Sequence, residues 1–202
     1  MSTFDERART WDTPERRRRA ELVADAIRAS VPFSKTTRVI EVGAGTGLLG
    51  LALAGEVGEL VLAEPSAGML EIAREKLIGD DSAAITAIPF DLTTDDAPPG
   101  APFDLAISLL VLHHLADTGA ALAAILRLLR SGGRLALADL DTEDGSFHSK
   151  DAEGIFHLGF DRVALADLAR SAGFVDIEIT TATEIGEDDR RYPIFLLVAR
   201  RP

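Results

Sequence analysis

A chain of 202 residues with 33 acidic against 21 basic side chains, a formal net charge of −12 and no cysteine excludes several function classes before any motif is read. Nucleic-acid binders gather Lys and Arg to displace counterions, so this balance speaks against an extended phosphate-binding surface. Missing thiols exclude disulfides, thiolate nucleophiles and Cys-ligated zinc or iron–sulfur clusters. Apolar residues at 47% and charged residues at 27% are the proportions of an ordered globular chain, and one domain over residues 1–202 is expected.

In chain order, MSTFDERARTWD is charged where a secretory signal would be apolar. The longest apolar run, around Leu109 to Leu112, is too short to cross a bilayer, so a cytoplasmic location with no membrane partner is expected. Thr13-Pro14-Glu15 is a helix start, a capping hydroxyl followed by proline at the first helical position. Ala20, Val23, Ala24 and Ile27 then share one face, and Val31-Pro32-Phe33 ends the helix near Ser30. Strand and helix alternate from there: strand over 37–42, helix 48–55, strand 59–64, helix 67–77, strand 83–88, strand 103–110. Leu122, Ile125, Leu126 and Leu129 predict a helix over 118–130, stopped by Ser131-Gly132-Gly133. A strand over 134–140 and a helix over 163–172 follow. The last strands, 174–180 and 194–200, have no helix between them and must form an antiparallel hairpin. The predicted fold is therefore α/β, a Rossmann-like, mainly parallel seven-stranded sheet with helices on both faces and an antiparallel final strand.

The first strand runs into Val39-Ile40-Glu41-Val42-Gly43-Ala44-Gly45-Thr46-Gly47. Three glycines in five positions suit a sharp strand-to-helix corner and a ligand pressed against main-chain N–H groups. In an open parallel sheet this turn faces the crevice where strand order reverses. A dinucleotide fingerprint can be drawn through Gly45, Gly47 and Gly50, with Glu64 about twenty residues on, and a nicotinamide-dependent oxidoreductase is the alternative it supports. The register set by the strand instead starts at Gly43, and its third fingerprint position then falls on Leu48.

With Glu41 ahead of Gly43, Gly45 and Gly47, the corner resembles the first motif, E/D-x-G-x-G-x-G, of the class I S-adenosylmethionine-dependent methyltransferases. Later segments resemble the same family: LVLAEPSAGML at the second strand, IPFDL after the third, FDLAISLLVLHHLAD at the fourth, LRSGGRLALADL at the fifth, and GFDRVALADLARSAGFVDIEI at the late helix and sixth strand. The resemblance implies S-adenosylmethionine as cofactor, with S-adenosylhomocysteine as product. It places Gly43, Ala44, Gly45 and Gly47 against the cofactor, Glu64 on both ribose hydroxyls with Pro65 beside it, and Met69 on the adenine. Asp91 would receive the adenine amino group next to the Leu92 amide, and Ser108 and Leu109 would lie at the fourth-strand motif. Glu41, Glu64 and Asp91 together suit a sulfonium cation better than a pyrophosphate.

Methyl transfer is an in-line displacement, and a base is required only where the acceptor must lose a proton. All four histidines lie on the predicted ligand side of the sheet. His113 is the first candidate base because imidazole titrates near neutrality, whereas His114 is expected to pack or cap. In the irregular segment 141–160, Phe147, His148, Phe156 and His157 form either an aromatic wall with proton-handling groups or the anchor of a surface loop, which leaves His148 and His157 as further catalytic candidates. Residues 1–33 are read as a helical lid, with Trp11 touching the methionine end of the cofactor or serving as a plain apolar anchor. Of the basic run Arg16 to Arg19, most must face solvent, and one suffices to hold a ligand carboxylate. The expected partner is a small-molecule acceptor, with no nucleic acid and no metal, in a monomer or homodimer. A non-catalytic protein that binds S-adenosylmethionine as a sensor is the alternative from another class.

Overall fold

The computed structural model describes residues 3–78, 84–148, 154–186 and 190–202. Ala83, at the predicted start of the third strand, and residues 149–153 of the 141–160 segment lie outside them. Helix α1 (Thr3–Arg7) leads into a 3-10 turn and then α2 (Pro14–Ser30), where Thr13 Oγ1 accepts the N–H of Arg16 as the capping motif predicts. Next come β1 (Arg38–Val42), α3 (Leu48–Leu53), β2 (Glu59–Ala63), α4 (Ala67–Lys76), β3 (Ala84–Ile88) and β4 (Phe103–Leu109). The chain continues through α5 (Thr118–Leu128), β5 (Leu129–Leu140), α6 (Arg162–Ser171), β6 (Val175–Ile185) and β7 (Tyr192–Arg200).

The strands hydrogen-bond in the order β3-β2-β1-β4-β5-β7-β6. All pairs are parallel up to β5, and β7 runs antiparallel to both β5 and β6. Strands buried on both faces read as near-continuous apolar runs, which is what RVIEV, ELVLA and FLLVA are. Alternation sorts their side chains into two cores. Val39, Leu60, Leu62, Leu105 and Ile107 pack under α2, α3 and α4, whereas Ile40, Val42, Val61, Ala106 and Leu135 pack under α5 and α6. Strand order reverses between β1 and β4, so the glycine corner that follows β1 opens into the crevice at the switch point. Among the described residues, no helix is long and apolar enough to cross a membrane.

Several boundaries differ from the sequence reading. Helix α5 stops at Leu128 rather than residue 130, because Leu129 already pairs with Phe103 of β4, ahead of a register shift in that ladder. Gly132, at φ 76°, therefore turns within the irregular start of β5 rather than capping a helix. The final hairpin is longer than predicted, since β6 continues to Ile185 opposite Tyr192. Helix α1 was not anticipated; five residues carry no apolar period to read.

Candidate functional site

At the carboxyl end of β1 the chain turns through three left-handed glycines, Gly43, Gly45 and Gly47, at φ 66°, 56° and 81°. Only glycine reaches that region without strain. A Cβ at Gly43 would sit 2.6 Å from Val111, whereas one at Gly45 would meet nothing nearer than Trp11 Nε1 at 3.8 Å. The bare face of Gly45 thus looks into open space. That space is a cavity of about 1240 Å³, walled among others by Gly43, Gly45, Glu64, Asp91, His113 and His148. It exceeds the roughly 300–1,000 Å³ of a site for one small ligand, so it can hold a cofactor and an acceptor together.

Glu64 follows β2 and is 7% exposed. Its Oε2 accepts the N–H of Gly45 at 2.7 Å and its Oε1 the N–H of Ser66 at 2.8 Å, so it braces the corner from below. Burial pushes its carboxyl above the usual range, against the pull of those two N–H groups. Glu41 is deeper, 3% exposed, and accepts the N–H of Gly50 on α3 at 2.9 Å. Burial pushes its carboxyl up to about 8. Asp91 takes the Thr93 N–H and hydroxyl on Oδ1, while its own N–H donates to Asp95. Pro65, Met69, Leu92 and Leu109 line the same cavity, as do Ala44 and Trp11.

Two other predicted cofactor residues do not reach the wall. Ser108 is buried and donates its hydroxyl to the Val42 carbonyl at 2.9 Å, tying β4 to the end of β1. Gly47 stands as the left-handed residue before α3.

The N-terminal segment lies across this end. Asp5 Oδ1 accepts from Ser66 Oγ at 2.6 Å and from the Gly68 N–H at 2.9 Å, pinning α1 to the start of α4. Asp12 accepts from Thr46 Oγ1 at 2.5 Å and pairs with Lys76 at 2.6 Å. Burial opposes ionisation of Asp12, but the Lys76 and Thr46 contacts outweigh it and hold the carboxyl below its usual range. Trp11 is covered by the Arg16 guanidinium, 4.0 Å from the ring centre, and Phe4 sits edge-on to both Trp11 and His114. Sequence reasoning missed Asp5 and Asp12. The partners through which they pin the segment to this end lie 34 to 64 positions away, and no local pattern marks them.

Across the cavity, the turn after β4 presents His113, which is 1% exposed. Asp139, fully buried near the end of β5, accepts three hydrogen bonds: from His113 Nδ1 at 2.7 Å, the His113 N–H at 3.2 Å and the Leu140 N–H at 2.8 Å. A carboxylate only accepts, so the ring proton belongs on Nδ1 and the lone pair on Nε2. That Nε2 is buried and has no partner among the described residues. His148 also lines the cavity, its ring 5.0 Å from that of His113 between centres, and its Nε2 is likewise without a partner among the described residues. Burial and the two neighbouring histidines push His148 down to about 4, so it is neutral at pH 7. His114, lowered by burial and by His113, donates Nδ1 to the Gly154 carbonyl at 2.8 Å.

His157 is not brought to the cavity. Its Nε2 lies 3.0 Å from the Leu115 carbonyl and 3.2 Å from the Thr118 hydroxyl, and its N–H reaches the His113 carbonyl. It anchors the loop against α5, the second of the two readings of that segment. Asp139 was not singled out from the sequence, although an acid inside the apolar strand LALADL is a visible signal.

Comparison with known proteins converges on one family. Residues 40–135 match the family model described as a methyltransferase domain. Demethylmenaquinone methyltransferase of Clavibacter sepedonicus is 34% identical over 110 residues, covering 52% of this chain and 42% of that protein. The O-methyltransferase cnsE of Penicillium expansum is 30% identical over 183 residues, covering 86% of this chain and 66% of its own length. The chain thus spans less than two thirds of either relative. Among solved structures, a chain of the complex between the Haloferax volcanii Trm112 methyltransferase activator and a methyltransferase aligns with a TM-score of 0.77 at 19% identity, covering 100% of this chain and 99% of that one. Likeness at that identity speaks for the fold, and the sequence matches speak for descent. Motif order, strand order and the match over residues 40–135 agree on a methyltransferase domain.

Proposed function

We propose that this protein transfers a methyl group from S-adenosylmethionine to an oxygen, nitrogen or carbon nucleophile of a small molecule. The observation that carries this reading is the joining of two unlike ends in one cavity. One is an acidic corner stripped of side chains, and the other a buried imidazole whose Nε2 has no partner. The residues present fit the cofactor. Gly45 leaves room for close approach, and the Glu64 oxygens, each bonded once, retain acceptor capacity for ribose hydroxyls. Asp91 would take the adenine amino group, with Pro65, Met69 and Leu92 as apolar surface. When bound, S-adenosylmethionine supplies a methyl group already activated on a positively charged sulfur.

The chain itself must exclude water, orient the acceptor and remove its proton. Residues 1–33 act as the lid, with Trp11 over Gly45 and Phe4 on His114 closing the cavity between them. His113 acts as general base through Nε2, with Asp139 fixing its tautomer and direction. A neutral His148 beside it adds no competing charge. The net charge of −12 supports a small-molecule acceptor over nucleic acid.

Calorimetric titration tests the reading. S-adenosylhomocysteine is expected to bind and NAD not to; the reverse result would end it. Binding without turnover of any acceptor across a broad panel would reduce the protein to a cofactor sensor.

A further inference from the structure

Helix α2 contributes a cation to the cavity wall that nothing in the described fold neutralises. Arg19 lines the cavity one residue before the buried Ala20. Among the described residues its buried Nε has no hydrogen-bond partner, and no carboxylate comes within ion-pair distance of it. Several other arginines of the chain behave differently. Arg17, Arg28, Arg38 and Arg162 each hold a carboxylate, and Arg16 donates to the Trp11 carbonyl at 2.8 Å. Burial and the nearby charge of Arg16 push Arg19 down to about 10, which leaves it cationic at neutral pH without a counterion. A buried guanidinium donor lacking an acceptor is costly, and such groups commonly await a ligand.

Position within the cavity separates the two arginines. Arg16 stacks on Trp11, beside Gly45 at the cofactor corner. Arg19 instead lies 5.8 Å from the centre of the Phe147 ring. Phe147 packs edge-on against His148, with ring centres 4.7 Å apart, and His148 leads on to His113. Arg19 therefore belongs to the end that carries the imidazole pair.

Taking the methyltransferase reading as its basis, we infer that Arg19 anchors an anionic group of the methyl acceptor, so that the substrate class is an organic acid with an apolar or aromatic body. The guanidinium fork suits a carboxylate, which it can hold by two parallel N–H bonds. Phe147 and Phe156 supply the apolar flank, and the acceptor's nucleophilic atom is presented to His113 Nε2.

The test titrates protein saturated with S-adenosylhomocysteine with benzoate, 4-hydroxybenzoate and phenylacetate, each beside its methyl ester. At least one acid should bind about tenfold or more tightly than its ester. Arg19→Gln should weaken that acid by about tenfold or more while shifting S-adenosylhomocysteine affinity less than about threefold. Arg19→Lys, which keeps the charge and loses the fork, should recover part of the loss. Because Arg19 makes no hydrogen bond or ion pair among the described residues beyond its ring contact, unfolding of Arg19→Gln, read by thermal melting, would mark it as structural and overturn the inference. A comparable loss of S-adenosylhomocysteine affinity would give the cation to the cofactor's own carboxylate, which also overturns it. So would a panel in which no acid outperforms its ester. Failure of the wild-type protein to take up S-adenosylhomocysteine would show up separately and would remove the methyltransferase reading underneath.

Discussion

At the corner after β1, the carboxylates facing the cavity are held by main-chain N–H groups within 19 positions: Glu64 by Gly45 and Ser66, Glu41 by Gly50, Asp91 by Thr93. Across the cavity the opposite holds: His113 Nε2 and His148 Nε2, beyond β4, and Arg19 Nε, on α2, are buried without partners among the described residues. One end is complete as folded, and the other is completed by what it binds. The difference teaches where stability and activity can be separated. At the cofactor end one carboxylate both supports the backbone and would grip the ligand, so damage there should reach fold and binding together. At the acceptor end the side chains with free atoms can be changed with little effect on the fold.

The largest effect expected from this contrast is on turnover. His113→Gln should lower kcat by about 10²- to 10⁴-fold, the range of a lost general base, with S-adenosylhomocysteine affinity unchanged by calorimetry. Asp139→Asn should follow it, because an amide can donate to Nδ1 and so favour the tautomer with its proton on Nε2. An Asp139→Asn enzyme that keeps its rate and its pH profile would leave Asp139 as packing alone. Gly43→Ala comes next and acts on the other end. A left-handed alanine pressed into Val111 at 2.6 Å should cost about 2–4 kcal/mol, seen as a lower melting temperature together with lost cofactor binding. Glu64→Ala is smaller. Leaving the Gly45 and Ser66 N–H groups without their acceptor should cost about 1–3 kcal/mol, and S-adenosylhomocysteine should bind more weakly. If Glu64→Ala lost stability while keeping full cofactor affinity, the claim that one carboxylate does both would break.

The same contrast explains what was legible in the sequence. The corner, its strands and the cap at Thr13 are local events, written in adjacent residues as glycine spacing, apolar runs and a hydroxyl ahead of a helix. His113 was legible as a candidate because imidazole is chemically conspicuous. Its partner Asp139 lies 26 positions away on another strand, and the pairing is made by the β4–β5 register rather than by any motif. Arg19 could not be told from Arg16, Arg17 and Arg18 by composition, since only packing of α2 decides which of four consecutive arginines turns inward. His157 was misleading for the same reason. Its segment does run along the ligand side, but the ring turns back to Leu115 and Thr118.

Glu41 offers the smallest effect and a test of how closed the cofactor end is. Its carboxyl stands at about 8 in the folded protein, raised chiefly by burial, against an ordinary value near 4.5. Between those values the folded chain binds a proton that the unfolded chain has released. Stability from this group is therefore complete below about pH 4.5 and is lost as pH rises towards 8. His148 runs the other way: lowered to about 4, it favours the folded state more as pH rises through the interval up to its ordinary value of 6.5. The two trends oppose each other in mild acid, so the window from pH 6.5 to 8.5 isolates Glu41. Glu41→Gln imitates the protonated side chain and keeps an acceptor for the Gly50 N–H. Over that window the wild-type protein should lose about 1–2 kcal/mol relative to the variant in denaturant melts. Parallel profiles would mean that water reaches Glu41, and the corner would then be as open as the acceptor end.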